Sequence, residues 1–305
     1  MKSLYQTIGR HKTEFLALLL LLILAAGFLL LKNGQRTTGL KIFNQPDQEQ
    51  INELKADPAN LVLDGQSRDI SQDAIYKNIY LLNGSELYIK KLPSATSWPS
   101  LTVSETVYID KNSKIISRNE DPSDADFIRV GAASNDYGGD GGTLAGQGGS
   151  GNCLKKPGNL PDLKNGHIYS GAAGAPAAKI SGSKGGQGGG TIIIKSSQII
   201  LGGAIQAIGQ PGINSGGGGA GGYVSIDADK LVIEGKIDLE GGNGGDGQIH
   251  GGGGGAGGLL ILHLKEAFNG RLENFINLEG GQGGIALDIY TGCQGEKGAD
   301  GQIIK

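Results

Sequence analysis

Few side chains in this 305-residue chain could do chemistry, and most of those lie in its second half. Asp227 and Asp229 share one strand face through the two-residue period, and Asp238 and Glu240 do the same. Two carboxylates suffice for glycoside cleavage. Outward positions on stacked strands are routinely charged, however, and no motif ties a His, an Arg or a further acid to either pair. Residues 241–249, GGNGGDGQI, nearly fit the calcium-binding nonapeptide G-G-x-G-x-D-x-U-x. Shared calcium sites need aspartates from successive turns. Only one unit occurs here, and Gln248 stands where a large apolar residue belongs, so Asp246 reads as a lone acid in a glycine loop.

The four histidines (His11, His167, His250, His263) are scattered, with no partner at ligand spacing. Residues 217–222, GGGAGG, lack the GK[ST] of a phosphate loop. Asn83-Gly84-Ser85 fits a glycosylation acceptor, but the turn preference of Asn-Gly explains it equally well. Cys153 and Cys293 sit in no CxxC motif, which argues against a zinc or redox pair. They can form a disulfide if the body is exported, or remain two thiols in a reducing compartment. No catalytic, cofactor-binding or metal-ligating residue is assigned, and no cofactor is implied.

The elements that would position these residues are set by an unusual composition. Of 57 glycines, only seven fall in the first 131 residues. Disorder is excluded as the explanation, because apolar runs such as Ile192-Ile193-Ile194 and Leu259-Leu260-Ile261-Leu262 interrupt the glycines. A net charge of −3 gives no electrostatic case for nucleic acid.

Residues 1–14 form a short polar tail, expected in the cytoplasm. Residues 15–31, FLALLLLLILAAGFLLL, carry no charge and reach the lower length limit for crossing a bilayer. The apolar run continues past its small residues, so the expectation is an uncleaved signal anchor over 15–32, with a single-pass topology and an extracytoplasmic body. Residues 33–60 read as a juxtamembrane linker with a short helix over 48–55, and residues 61–305 as the body.

Within the body, strand-like triplets recur. Val107-Tyr108-Ile109 echoes Leu87-Tyr88-Ile89 about 20 residues earlier. Ile192, Val224 and Leu260 open longer repeats at steps of 32 and 36 residues. Insertions of that kind on a constant core suit stacked coils, each burying an apolar face against the next. The fold expected is all-β: a parallel, right-handed β-helix or solenoid with glycine-rich loops on one face, preceded by one transmembrane helix. A glycine-rich excursion leaves the stack at 120–190. Recurrence of the glycine runs favours extended, polyproline-II-like segments packed side by side over flexible loops. Residues 292–302 support this, with glycine at every third position from Gly292 to Gly301.

The alternation GGGGAGG–YVSIDADKLVIEGKIDLEGGNGG resembles the glycine-rich repeats of bacterial surface proteins with β-helical folds. In style it is also similar to domains of bundled polyglycine helices in certain receptor ectodomains and phage tail adhesins. This compositional resemblance covers residues 130–305 and implies an adhesive or structural role at the cell surface, without transferring any functional residue. The expectation is a membrane-anchored, exported structural or adhesion protein, not an enzyme. It would meet a surface protein or glycan ligand and assemble as a homo- or hetero-oligomer. The alternatives are a polysaccharide lyase or glycosidase and a scaffold subunit of an envelope or pilus-like assembly.

Overall fold

The structure is a computed structural model, described here for residues 45–93, 95–118, 138–145, 147–151, 170–268, 271–288 and 292–305. Of its two compact units, Met1–Asn44 lies outside the described residues, and Gln45–Lys305 is the body. The body opens with helix α1 (Gln48–Ala56). Asp47 caps it in a reciprocal capping box: its side chain accepts from the Gln50 amide while the Gln50 side chain accepts from the Asp47 amide. Ile51 is the buried residue of this helix, and the Asn60 amide group reaches back to the Leu54 carbonyl. The helix therefore packs on the body and is not a free linker.

Among the described residues fourteen strands follow: β1 (Leu61–Asp64), β2 (Ser67–Ile70), β3 (Ala74–Tyr76), β4 (Ile79–Leu82), β5 (Glu86–Ile89), β6 (Ser100–Ile109), β7 (Lys114–Ser117), β8 (Thr191–Leu201), β9 (Ala204–Gln206), β10 (Tyr223–Ile233), β11 (Lys236–Asp238), β12 (Leu259–Leu264), β13 (Ile276–Asn277) and β14 (Gln302–Ile304). One sheet runs β1-β4-β6-β8-β10-β12-β14, with β3 also on β6. The other runs β13-β11-β9-β7-β5-β2. All the ladders between these strands are parallel. Inward residues of both sheets, including Ile79, Leu81, Val107, Ile192, Val224, Ile237 and Leu260, form one continuous apolar core.

The long strands turn a corner. In β10 the inward set is Val224, Ile226 and Ala228, then Leu231 and Ile233, so the inward positions change from even to odd. β8 switches in the same way, from Ile192 and Ile194 to Ile199 and Leu201. In β6 the register against β8 shifts between Val103 and Thr106. An odd step is required because side chains alternate faces with period two.

This corrects the expected fold. The body is not an all-β solenoid with glycine loops, but a mostly parallel, two-sheet, α/β-like fold. No helix among the described residues is long and apolar enough to cross a membrane, and residues 15–31 lie outside them. Nor are the glycine segments loops. They form an ordered bundle beside the sheets, held by backbone hydrogen bonds between the segments 138–144, 147–151, 171–175, 184–190, 207–213, 215–222, 239–247, 251–258, 278–285 and 293–301. The described parts of the expected excursion at 120–190 belong to this bundle.

Each segment points its amides and carbonyls at different neighbours in steps of three. In 215–222, Gly217 and Ala220 donate to Ala175 and Ala172, Gly218 and Gly221 to Gly253 and Ala256, and Gly219 and Gly222 to Gln210 and Ala207. Its carbonyls accept in the same rhythm from Gly186 and Gly189, from Gly142, and from Gly242 and Gly245. Segment 251–258 is enclosed in the same way by 138–144, 147–151, 215–222, 239–247, 278–285 and 293–301. Three residues per turn with no internal hydrogen bond is polyproline-II geometry.

Enclosure on every side accounts for the two purest glycine runs. A Cβ on Gly219 would overlap the Gln187 carbonyl oxygen, and one on Gly253 that of Gly149. Segments on the margin keep glycine only where they face inward, giving GGx repeats such as GGNGGDG and Gxx repeats such as GEKGADG. Ala220 and Ala256 are the two exceptions inside the pure runs. They pack with Leu144, Ala145, Tyr223 and Leu259 where the bundle meets β10 and β12.

Gly253→Ala is therefore expected to lower stability by about 3 kcal/mol or more through overpacking. Gln282→Ala, on the exposed margin, should stay within about 0.5 kcal/mol. Denaturant midpoints at unchanged m-value check both.

Candidate functional site

The chemistry-bearing residues are placed by the stacking of strands. Asp227 lies on the outer face of β10, in register with Lys195 of β8 on one side and His263 of β12 on the other. Asp229 forms an ion pair with Lys265 at 2.6 Å, and the Asp229 carboxylate raises the Lys265 ammonium above its ordinary value. A lysine held charged in this way is a poor general base. Both acids thus belong to a lateral ladder of opposite charges.

Asp238 and Glu240 are also brought together, but by a clamp. The Asn277 side-chain amide donates to both, at 3.0 Å each, and Lys236 pairs with Asp238 at 2.8 Å. Asp246 is engaged too: its side chain accepts the Ile285 amide at 2.7 Å. Asn243 accepts the Gln282 amide at 2.7 Å, and Asp300 the Gly280 amide at 3.0 Å. These side-chain oxygens serve amides of the adjacent segment at the bundle margin, where no further segment among the described residues supplies a carbonyl. Among the described residues no three potential ligands gather around a metal position.

Turns on the opposite flank of the stack form a polar ladder that single-residue reasoning missed. Asn83 at φ 55° and Gly84 at φ 78° make the expected Asn-Gly turn. Asn83 bonds Asp64 through its side chain and Asp110 through its amide, and the Ser113 hydroxyl accepts the Ser85 amide. The signal was present as Asp-Gly, Asn-Gly and Asp-Lys-Asn-Ser at successive strand ends. Cys293 is disulfide-bonded, and Cys153 lies outside the described residues. His250 pairs with Cys293 in an isolated parallel bridge at the distal end of the bundle.

One groove stands out, with a volume of about 530 Å³ at the C-terminal end of the sheets. Leu262, Leu264, Phe268 and Leu272 give it an apolar floor. Asp227, His263, Lys265, Glu266, Glu273 and Lys305 give it a rim of both signs. Its size is that of a ligand pocket. Among the described residues that line it, no nucleophile, general base and orienting group are joined in one hydrogen-bonded series.

Several carboxylates are held below their ordinary values: Asp64 by the Asn83 and Lys55 side chains, Asp73 by the Ser100 amide, Glu86 by the Tyr88 hydroxyl, and Asp300 by the Gly280 amide and Lys297. A depressed folded value contributes stability above the unfolded value and loses it as pH falls through the folded one. The melting temperature should therefore hold from neutral pH down to about 5 and fall below about 4. Asp300→Asn should shrink that fall, which calorimetry across the range will show. Compared with protein-family models, with curated proteins and with solved structures, the chain has no match, so its site is characterised by this geometry alone.

Proposed function

We propose that this chain is a membrane-anchored, exported structural or adhesive protein of the cell envelope. The observation that carries the reading is the glycine bundle, an ordered array of close-packed segments joined chiefly by backbone hydrogen bonds. Such an array serves to hold its distal turns in fixed positions. Those turns carry Ile213, Ile285 and Leu287, which are 55%, 54% and 60% exposed. Exposed apolar side chains at the end of a rigid support suit contact with another surface.

Two further features support export. The sequence of residues 15–31 is an uncharged apolar run of membrane-spanning length, which suits an anchor ahead of the body. The disulfide at Cys293 suits an oxidising compartment. The body then displays its bundle outside the cytoplasm.

Substituted-cysteine labelling tests this directly. In spheroplasts of cells making the chain, a membrane-impermeant maleimide should label Ile213→Cys without lysis, and Ser3→Cys only after it. Labelling of Ile213→Cys only after lysis would sink the orientation.

A further inference from the structure

The two ends of the stacked sheets are finished differently. At the N-terminal end helix α1 lies against β1, with Ile51 buried and Lys55 paired to Asp64 at 2.9 Å. At the C-terminal end β14 pairs with β12 on one side, and among the described residues nothing pairs with its other edge. Core-contacting side chains there, including Phe268, Phe275, Ile276 and Ile303, are only partly buried, and Ile304 is 43% exposed.

Exposed sheet edges are commonly blunted by charged side chains. The charges near this edge are of both signs: Asp227, Glu266 and Glu273 stand with Lys265 and Lys305 around one groove, and Lys265, paired to Asp229 at 2.6 Å, is still 78% exposed. Within the chain Lys305 reaches Glu273 only at 4.0 Å, and both are well exposed. A patch holding both signs about one edge is complementary to a twofold copy of itself.

From this we infer that β14 and the groove behind it form a homodimer interface, in which the β14 strands of two copies pair antiparallel. A twofold axis normal to the sheet makes two edge strands antiparallel and satisfies their free amides and carbonyls. It sets the lysines of each copy against the glutamates of the other and covers the apolar floor of both grooves. Because α1 closes the opposite end, the assembly stops at two copies and does not extend into a filament. This goes beyond the envelope role proposed above and does not depend on it.

The test uses the full chain in detergent, with mass read by light scattering after size exclusion across a concentration series. The wild type should be a dimer at the upper end of the series. A basic-edge variant (Glu266→Lys with Glu273→Lys) and an acidic-edge variant (Lys265→Glu with Lys305→Glu) should each self-associate at least tenfold more weakly, an order-of-magnitude expectation for like charges brought together. Mixed in equal amounts, the two variants should recover dimers, which also shows that both are folded. A monomeric wild type, variants that dimerise as the wild type does, or a mixture that stays monomeric would each overturn the interface.

Discussion

The structure depends on how closely backbones approach one another in the glycine bundle. An added Cβ there meets a carbonyl oxygen of a neighbouring segment at nearly every inward position. That closeness lets each amide of 215–222 and 251–258 reach a carbonyl on another segment, in directions that rotate every three residues. The net gain per hydrogen bond is only about 1 kcal/mol, and glycine loses the most conformational freedom on ordering. The array therefore holds through completeness: an unpaired amide inside it would carry the full cost of desolvation.

Completeness explains how glycine is distributed. Where a segment is enclosed, glycine fills nearly every position. Where it faces solvent on one side, side chains appear at the outward steps, and three of them take over the task of a neighbouring carbonyl. Asn243, Asp246 and Asp300 each accept an amide that an inner segment would pair with a carbonyl. Acids that looked like metal ligands or catalytic groups are thus margin pieces of the array. Asp227 and Asp229 are the sheet counterpart, since parallel stacking brings Lys195, His263 and Lys265 alongside them. Charge alternating down a stack relieves the like-charge repulsion that identical repeats would impose.

Local apolar patterns were readable in the chain; the body's architecture was not. The triplets at Ile192, Val224 and Leu260 do stack in parallel, and the three-residue glycine period at 292–301 does mark a bundle segment. An all-β coil with loops was the wrong assembly of those parts. Periodicity within one segment reports its conformation but not its neighbours, and here the neighbours of 251–258 come from as far away as 138–144 and 293–301. Helix α1 was placed within a residue of its end, yet read as linker, because Ile51 alone does not announce that it will be buried. The groove was illegible for the same reason: Asp227, Phe268 and Lys305 are distant in sequence and meet only through the order of the last strands.

Sheets and bundle grow together. The chain leaves β9 for 207–213, returns along 215–222 and enters β10, and the passes from β11 to β12 and from β13 to β14 repeat the course. The first two of these passes each add a strand to both sheets and a hairpin to the array, and the last adds β14 to one sheet, so the register of one lattice fixes the register of the other. A slip of one residue in β10 would move Val224 out of the core and turn the Gly221 and Gly222 amides away from the Ala256 and Ala207 carbonyls that accept them. Two unlike lattices, one of side chains and one of bare backbone, thereby exclude each other's misregistered forms.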